Sequence, residues 1–224
     1  MLMCYQPFFI PNDSPATHVP PIDPDTFQAA YSDDCRQLLA EVGGISSSIW
    51  VDVSIAAESE KPITLTQVEV TDVKQSPVPS GTFYTPAEIG GDYPAKYVAV
   101  DLDQTPVRPV DVGDMAVGGS VLDRSPDGLR SAPLTEDQMR LPWLVTRDEP
   151  LQLAILGYGS SHDTTFSVRL TWQAGEDTGT IVLDNNGEGY RAVGYKYDPT
   201  APNTMHGAWD GSNTWKRYVD EPPQ

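Results

Sequence analysis

Hydrophobic residues change their period once along this chain. In DPDTFQAAYSDDCRQLLAEVGG, residues 23–44, Phe27, Tyr31, Cys35, Leu38 and Val42 recur three or four positions apart. That spacing predicts an amphipathic helix, with Asp25 or Thr26 as its cap and Gly43-Gly44 as its stop. From residue 46 onward the period is two. In SSIWVDVSIAA, Ile49, Val51, Val53 and Ile55 fall on one face and Asp52 and Ser54 on the other. The next segment, KPITLTQVEVTDV, sets Ile63 and Leu65 inward, then Val68 and Val70. That change of parity predicts a bulge near Gln67.

Further strands are expected in GTFYT, KYVAVDLD, VRPVDV, PWLVTR and PLQLAILGY, and over 165–172, 179–183 and 189–193. In TTFSVRLTW, Phe166, Val168, Leu170 and Trp172 alternate with polar residues. Burying four such side chains is worth ~6–10 kcal/mol as an upper bound, so this is a core strand. Short strands separated by turn residues predict an all-β chain, with the immunoglobulin-like β-sandwich as the expected architecture. The expected organisation is a proline-rich arm and short helix over 1–45, a sandwich over 46–194, and an aromatic, Gly- and Pro-containing tail over 195–224. Both arms are expected to be irregular. Residues 113–141, rich in Gly, Asp and Pro, are expected to form a long loop.

Composition narrows the function classes. A hydrophobic content of 39%, with 5 Trp and 10 Tyr, is enough to fill a core. A net charge of −18 opposes binding to nucleic acid and to an anionic membrane surface. No apolar run is long enough to be a transmembrane helix. The N-terminus carries no basic region and meets Pro7 and Pro11 early, unlike a signal peptide. The expected location is therefore cytoplasmic if Met1 is the native start, or extracytoplasmic if the chain has lost a membrane anchor.

Candidate chemistry is sparse. Cys4 and Cys35 have no metal-ligand spacing; they are either a disulfide joining the arm to the helix or two buried thiols. In DNNGEG, Asp184, Asn186 and Glu188 alternate as calcium ligands do. However, the twelfth position of an EF-hand count falls on Tyr195 and not on an acid, so a turn at Asn186-Gly187 is expected. Ser160, Ser161, His162 and Asp163 are the residue types of a hydrolytic triad, but as sequence neighbours they do not converge on one reacting atom. They are expected to form a solvated hairpin loop, and no GxSxG elbow is present. The carboxylate pairs Asp101/Asp103, Asp111/Asp114 and Glu136/Asp137 are expected to be solvated. No P-loop is present, and no metal or cofactor is expected.

Tyr195, Tyr197, Trp209, Trp215 and Tyr218 concentrate in the tail, either folded back on a sheet edge or serving as binding anchors. Tyr195, Tyr197, Trp209 and Trp215 are the candidate binding residues.

ISSSIWVDVSIAAESEKPITLTQVEV, KYVAVDLD and LTWQAGEDTGTIVLDNNGEGYRAVG together resemble the extracytoplasmic domains of uncharacterised actinobacterial membrane proteins. The most specific part comprises Leu170, Trp172, Gly179, Thr180, Asp184, Gly187 and Tyr190. The resemblance spans about residues 25–194 and implies an envelope location and a β-sandwich, with no activity. The expected function is that of a non-enzymatic extracytoplasmic domain, membrane-tethered through a segment absent from this chain, that binds a protein or cell-envelope component; the expected location becomes cytoplasmic if Met1 is the native start. The alternative is a structural subunit of a phage or secretion-type assembly, and an acid-dependent hydrolase comes third.

Overall fold

The computed structural model of the protein describes residues 8–14, 39–40, 43–85, 96–113, 140–194, 204–207 and 215–216. Within them the chain is all-β: its strands fall into three sheets, and only Leu39 and Ala40 have helical backbone. The rest of the expected helix lies outside the described residues. Its stop signal does not. Gly43 takes a φ of 61°, and the Gly44 N–H donates to the Leu39 carbonyl at 2.7 Å, the bond of a glycine-terminated helix end.

The strands are β1 (Phe8–Pro11), β2 (Ile45–Ser46), β3 (Ser48–Ile55), β4 (Ile63–Pro77), β5 (Gly81–Thr85), β6 (Lys96–Asp101) and β7 (Pro109–Gly113). They continue with β8 (Trp143–Val145), β9 (Leu151–Tyr158), β10 (His162–Ala174), β11 (Asp177–Leu183), β12 (Tyr190–Val193), β13 (Thr204–Gly207) and β14 (Trp215–Lys216). One sheet has the order β3-β9-β6-β7, with β6 and β9 parallel. A second runs β11-β10-β4-β8, with β12 also on β10.

These two sheets share one core. Val51, Val98, Val100, Leu153 and Ile155 from the first meet Leu65, Val68, Trp143, Phe166, Val168 and Leu170 from the second. Ile49, Val53 and Ile55 pack against the same cluster, as their alternation requires. Trp50 takes the opposite face of its sheet, edge-on to Tyr97 with ring centroids 6.2 Å apart. That face is also buried, through Tyr97, Ala99, Ala154, Leu156 and Tyr158.

The parity change in β4 is a bulge. Thr171 pairs with Gln67 but Trp172 pairs with Leu65, leaving Thr66 as the extra residue. The skip keeps Leu65 and Val68 on the core side. A second bulge, between Thr165↔Lys74 and Ser167↔Thr71, contains Asp72 at a φ of 54°.

The third sheet has the order β14-β13-β5-β1-β2 and departs from expectation. Residues 8–11, expected to be irregular, form a strand in which Phe8 and Phe9 are almost fully buried. Phe9 packs on Phe83, centroids 4.8 Å apart, and both meet Val193 at the end of β12. Apolar area outweighs the proline-rich composition there. The tail contributes β13, parallel to β5, and β14 beyond it. Residues from all three expected segments thus share one sheet.

Candidate functional site

Two turns and the end of β12 meet at one end of the paired sheets. β6 leads into the turn Asp101-Leu102-Asp103, where the Leu102 N–H donates to the Tyr158 carbonyl at 2.7 Å. Gln75 of β4 donates its side-chain amide to the Leu102 carbonyl at 2.6 Å. Asp101 accepts the Asp103 N–H at 3.0 Å, closing an Asx-type turn that aims the Asp103 carboxylate at the β9–β10 hairpin.

In that hairpin, Gly159 passes beneath Asp103, where a Cβ would lie 3.3 Å from Oδ1. Ser160 gives Asp103 Oδ2 both its backbone N–H, at 2.7 Å, and its hydroxyl, at 2.8 Å. Ser161 gives its N–H to Oδ1 at 3.1 Å, and His162 Nδ1 lies 3.4 Å from the same oxygen. Gly194 closes the cluster from β12, donating its N–H to the His162 carbonyl at 2.7 Å. A side chain at 194 would strike the backbone of Ser160–His162.

Burial works to raise the Asp103 carboxyl pKa. The hydrogen bonds from Ser160, His162 and Ser161 outweigh it and hold the pKa below the ordinary value. Asp103 is therefore a half-buried anion fixed by its donors, which corrects the expectation that it is solvated. His162 is likewise tied to Asp103 and is not a free loop residue.

This cluster contains the residue types of a serine hydrolase, but it is wired differently. The Ser160 hydroxyl donates to the carboxylate, and among the described residues no imidazole bonds the serine oxygen to take its proton. The consecutive N–H groups of Ser160 and Ser161 form an anion-binding concavity that Asp103 already fills. Chemically, the arrangement fastens two turns together.

Asp163 is not part of the cluster. Strand alternation turns it away from His162, and Arg191 of β12 clamps it with two bonds, Nε at 2.9 Å and Nη2 at 2.6 Å. Asp163 is buried while Arg191 is half-exposed, so the pair tethers β12 to β10.

The segment Asp184–Gly189 is a turn. Asn185, Asn186, Gly187 and Gly189 have φ of 49°, 61°, 90° and 78°, and the Gly189 N–H closes on the Asp184 carbonyl at 2.7 Å. Asn and Gly are the residues that tolerate this left-handed path. Among the described residues, no three His, Cys, Asp or Glu side chains gather as metal ligands.

Of the candidate binding residues, Tyr195, Tyr197 and Trp209 lie outside the described residues. Trp215 is described only through its backbone, paired with Gly207. Cys4, Cys35, Tyr218, Asp114, Glu136 and Asp137 also lie outside, as do residues 114–139 of the long loop. Asp111 accepts the Arg140 N–H at 3.4 Å.

A feature that sequence reading missed is the outer edge of the second sheet. On β11, Ile181 and Val182 remain 44% and 46% exposed, and Leu144 on β8, at the opposite edge, is 67% exposed. TIVLD marked a strand over 179–183, with three consecutive apolar residues and no alternation to assign a buried face. Nothing in it indicated that both faces would be open.

No known protein family matches this chain, and no characterised protein or solved structure is significantly similar to it.

Proposed function

We propose that this protein is a non-enzymatic binding module on a β-sandwich, with the β11 edge of the second sheet as its contact surface. The observation that carries the reading is the exposure of Ile181 and Val182 on an edge strand. Large apolar side chains beside unpaired backbone groups invite another chain, and soluble proteins usually blunt such edges with charge or proline. The Asp103 cluster supports the non-enzymatic part, because its serine and backbone donors are already engaged by the carboxylate.

The sandwich itself is supported by the core shared between two sheets. Its parallel β6–β9 pairing differs from the antiparallel sheets of an immunoglobulin domain, so the likeness is one of layers and not of strand order. The envelope location comes from the resemblance. No helix among the described residues is long and apolar enough to cross a membrane.

A photo-crosslinking residue at Ile181, introduced in the native host, tests the binding role. One identified protein attached from position 181 and not from Val73 supports it. Adducts that are equal from both positions, or absent, overturn it.

A second reading, a subunit of a larger assembly, is favoured by Leu144. With apolar side chains at both edges of one sheet, copies joined β11 to β8 would grow head to tail. Concentration-dependent growth in sedimentation would support this reading.

A further inference from the structure

Resting on that reading, we infer that the β11 edge accepts an extended polypeptide segment with a β-branched centre and basic ends, which pairs as an additional strand.

The hydrogen-bond phase of the hairpin shows which backbone groups are offered. β10 and β11 are joined through Gly175 and Glu176, with Gly175 at a φ of 65° and Ala174 paired to Asp177. In a two-residue hairpin the pair flanking the turn exchanges both hydrogen bonds, and every second pair beyond it does the same. The bonded pairs are then Ala174↔Asp177, Trp172↔Gly179, Leu170↔Ile181 and Val168↔Leu183. Thr178, Thr180 and Val182 consequently direct their N–H and carbonyl groups away from β10, along the outer edge. β10 is the only strand paired with β11 among the described residues.

The side chains fit such a guest. Gly179 has no side chain, and the Trp172 indole from β10 fills the space that a Cβ there would take. An apolar side chain on an added strand beside Gly179 would meet that ring on one side and Ile181 on the other. Val182 offers a second contact on the opposite face. Strand addition of this kind takes affinity from the backbone and selectivity from alternate side chains.

Charge selects the guest. Glu176 and Asp177 bracket β11 at its turn end, and Asp184 and Glu188 at the other. The one cation opposite the strand, Arg169, pairs with Glu69 at 3.8 Å. Symmetric pairing of two β11 edges fits poorly: antiparallel self-pairing centred on Thr180 would set Glu176 against Asp184 of the other chain. Lysine or arginine at both ends of the guest would meet these acids.

A fluorescein-labelled peptide of Thr-Val-Thr-Val-Thr with two lysines at each end serves as the probe, read by anisotropy against the full chain. Thr180→Pro removes an outward N–H without removing a β10–β11 bond and leaves the charge unchanged. It should weaken the probe about tenfold or more, and Val182→Lys should do the same. Each variant's melting curve confirms that it folds; because the two substitutions act differently, either folded variant decides the result. No probe binding by the wild type, or equal binding by both proteins, overturns the proposal. So does a dimer that dissociates on Thr180→Pro, because it assigns the edge to a second copy. If the photo-crosslink at 181 identifies a partner while the probe fails, the basic-ended guest is wrong and the binding role stands.

Discussion

β9 and β11 have similar apolar cores and opposite fates. LQLAILGY is buried on both faces, with Leu153 and Ile155 in the shared core and Ala154, Leu156 and Tyr158 on the far side. In DTGTIVL, Ile181 and Val182 are each nearly half-exposed. The difference lies in their neighbours: β9 sits between β3 and β6 in a sheet covered on both faces, whereas among the described residues β11 pairs only with β10. A strand's apolar residues report that a surface must be covered. Its position in the sheet determines whether the chain's own core covers it.

The sharpest test of that contrast is Ile155→Ala. Ile155 is fully buried, so truncation leaves a cavity and should cost about 2–5 kcal/mol, measured by urea unfolding. A loss under about 1 kcal/mol would mean that the core collapses around the site and that β9 is less rigidly held than its burial implies.

Next in size is Asp103→Asn, which weakens four hydrogen bonds to a charged acceptor and should cost about 2–3 kcal/mol at neutral pH. The carboxyl pKa is lowered in the folded chain. Its contribution is therefore complete above the unfolded aspartate value of about 3.9 and is lost as pH falls through the lower folded value. The stability gap between wild type and Asp103→Asn should stay flat down to about pH 5 and close only in stronger acid. A gap that closes nearer neutrality would contradict the lowered pKa.

Arg191→Ala should cost less, about 1–2 kcal/mol, because the half-exposed guanidinium is partly screened while buried Asp163 loses a two-pronged partner. Faster amide exchange confined to β12 would locate the effect. Uniform loss across β10 and β4 would show that the pair supports the whole sheet.

The strands were legible because alternation is local. β5 spans the predicted GTFYT, and the parity change in β4 marked its bulge from sequence alone. The third sheet was not legible, because β1 is only four residues long, carries no alternation and sits among prolines. Its burial depends on Phe83 and Val193, far away in the chain. The Asp103 cluster was half legible. Ser160, Ser161 and His162 stood out by type, but their partner lies 57 residues from Ser160, and no local pattern encodes that meeting. Asp163, the neighbour that sequence offered as the carboxylate, points the other way because a strand alternates its sides.

The smallest effect belongs to β11 itself. Ile181→Thr keeps a β-branched residue on an edge strand and removes a side chain that the fold only partly covers. The expected change in stability is within about 0.5 kcal/mol, at least about fourfold below Ile155→Ala despite the shared starting residue. If Ile181→Thr leaves stability intact and still weakens the probe peptide, the apolar exposure belongs to binding. A stability loss of about 2 kcal/mol or more would instead place Ile181 within the protein's own packing and remove the reason to read this edge as a contact surface.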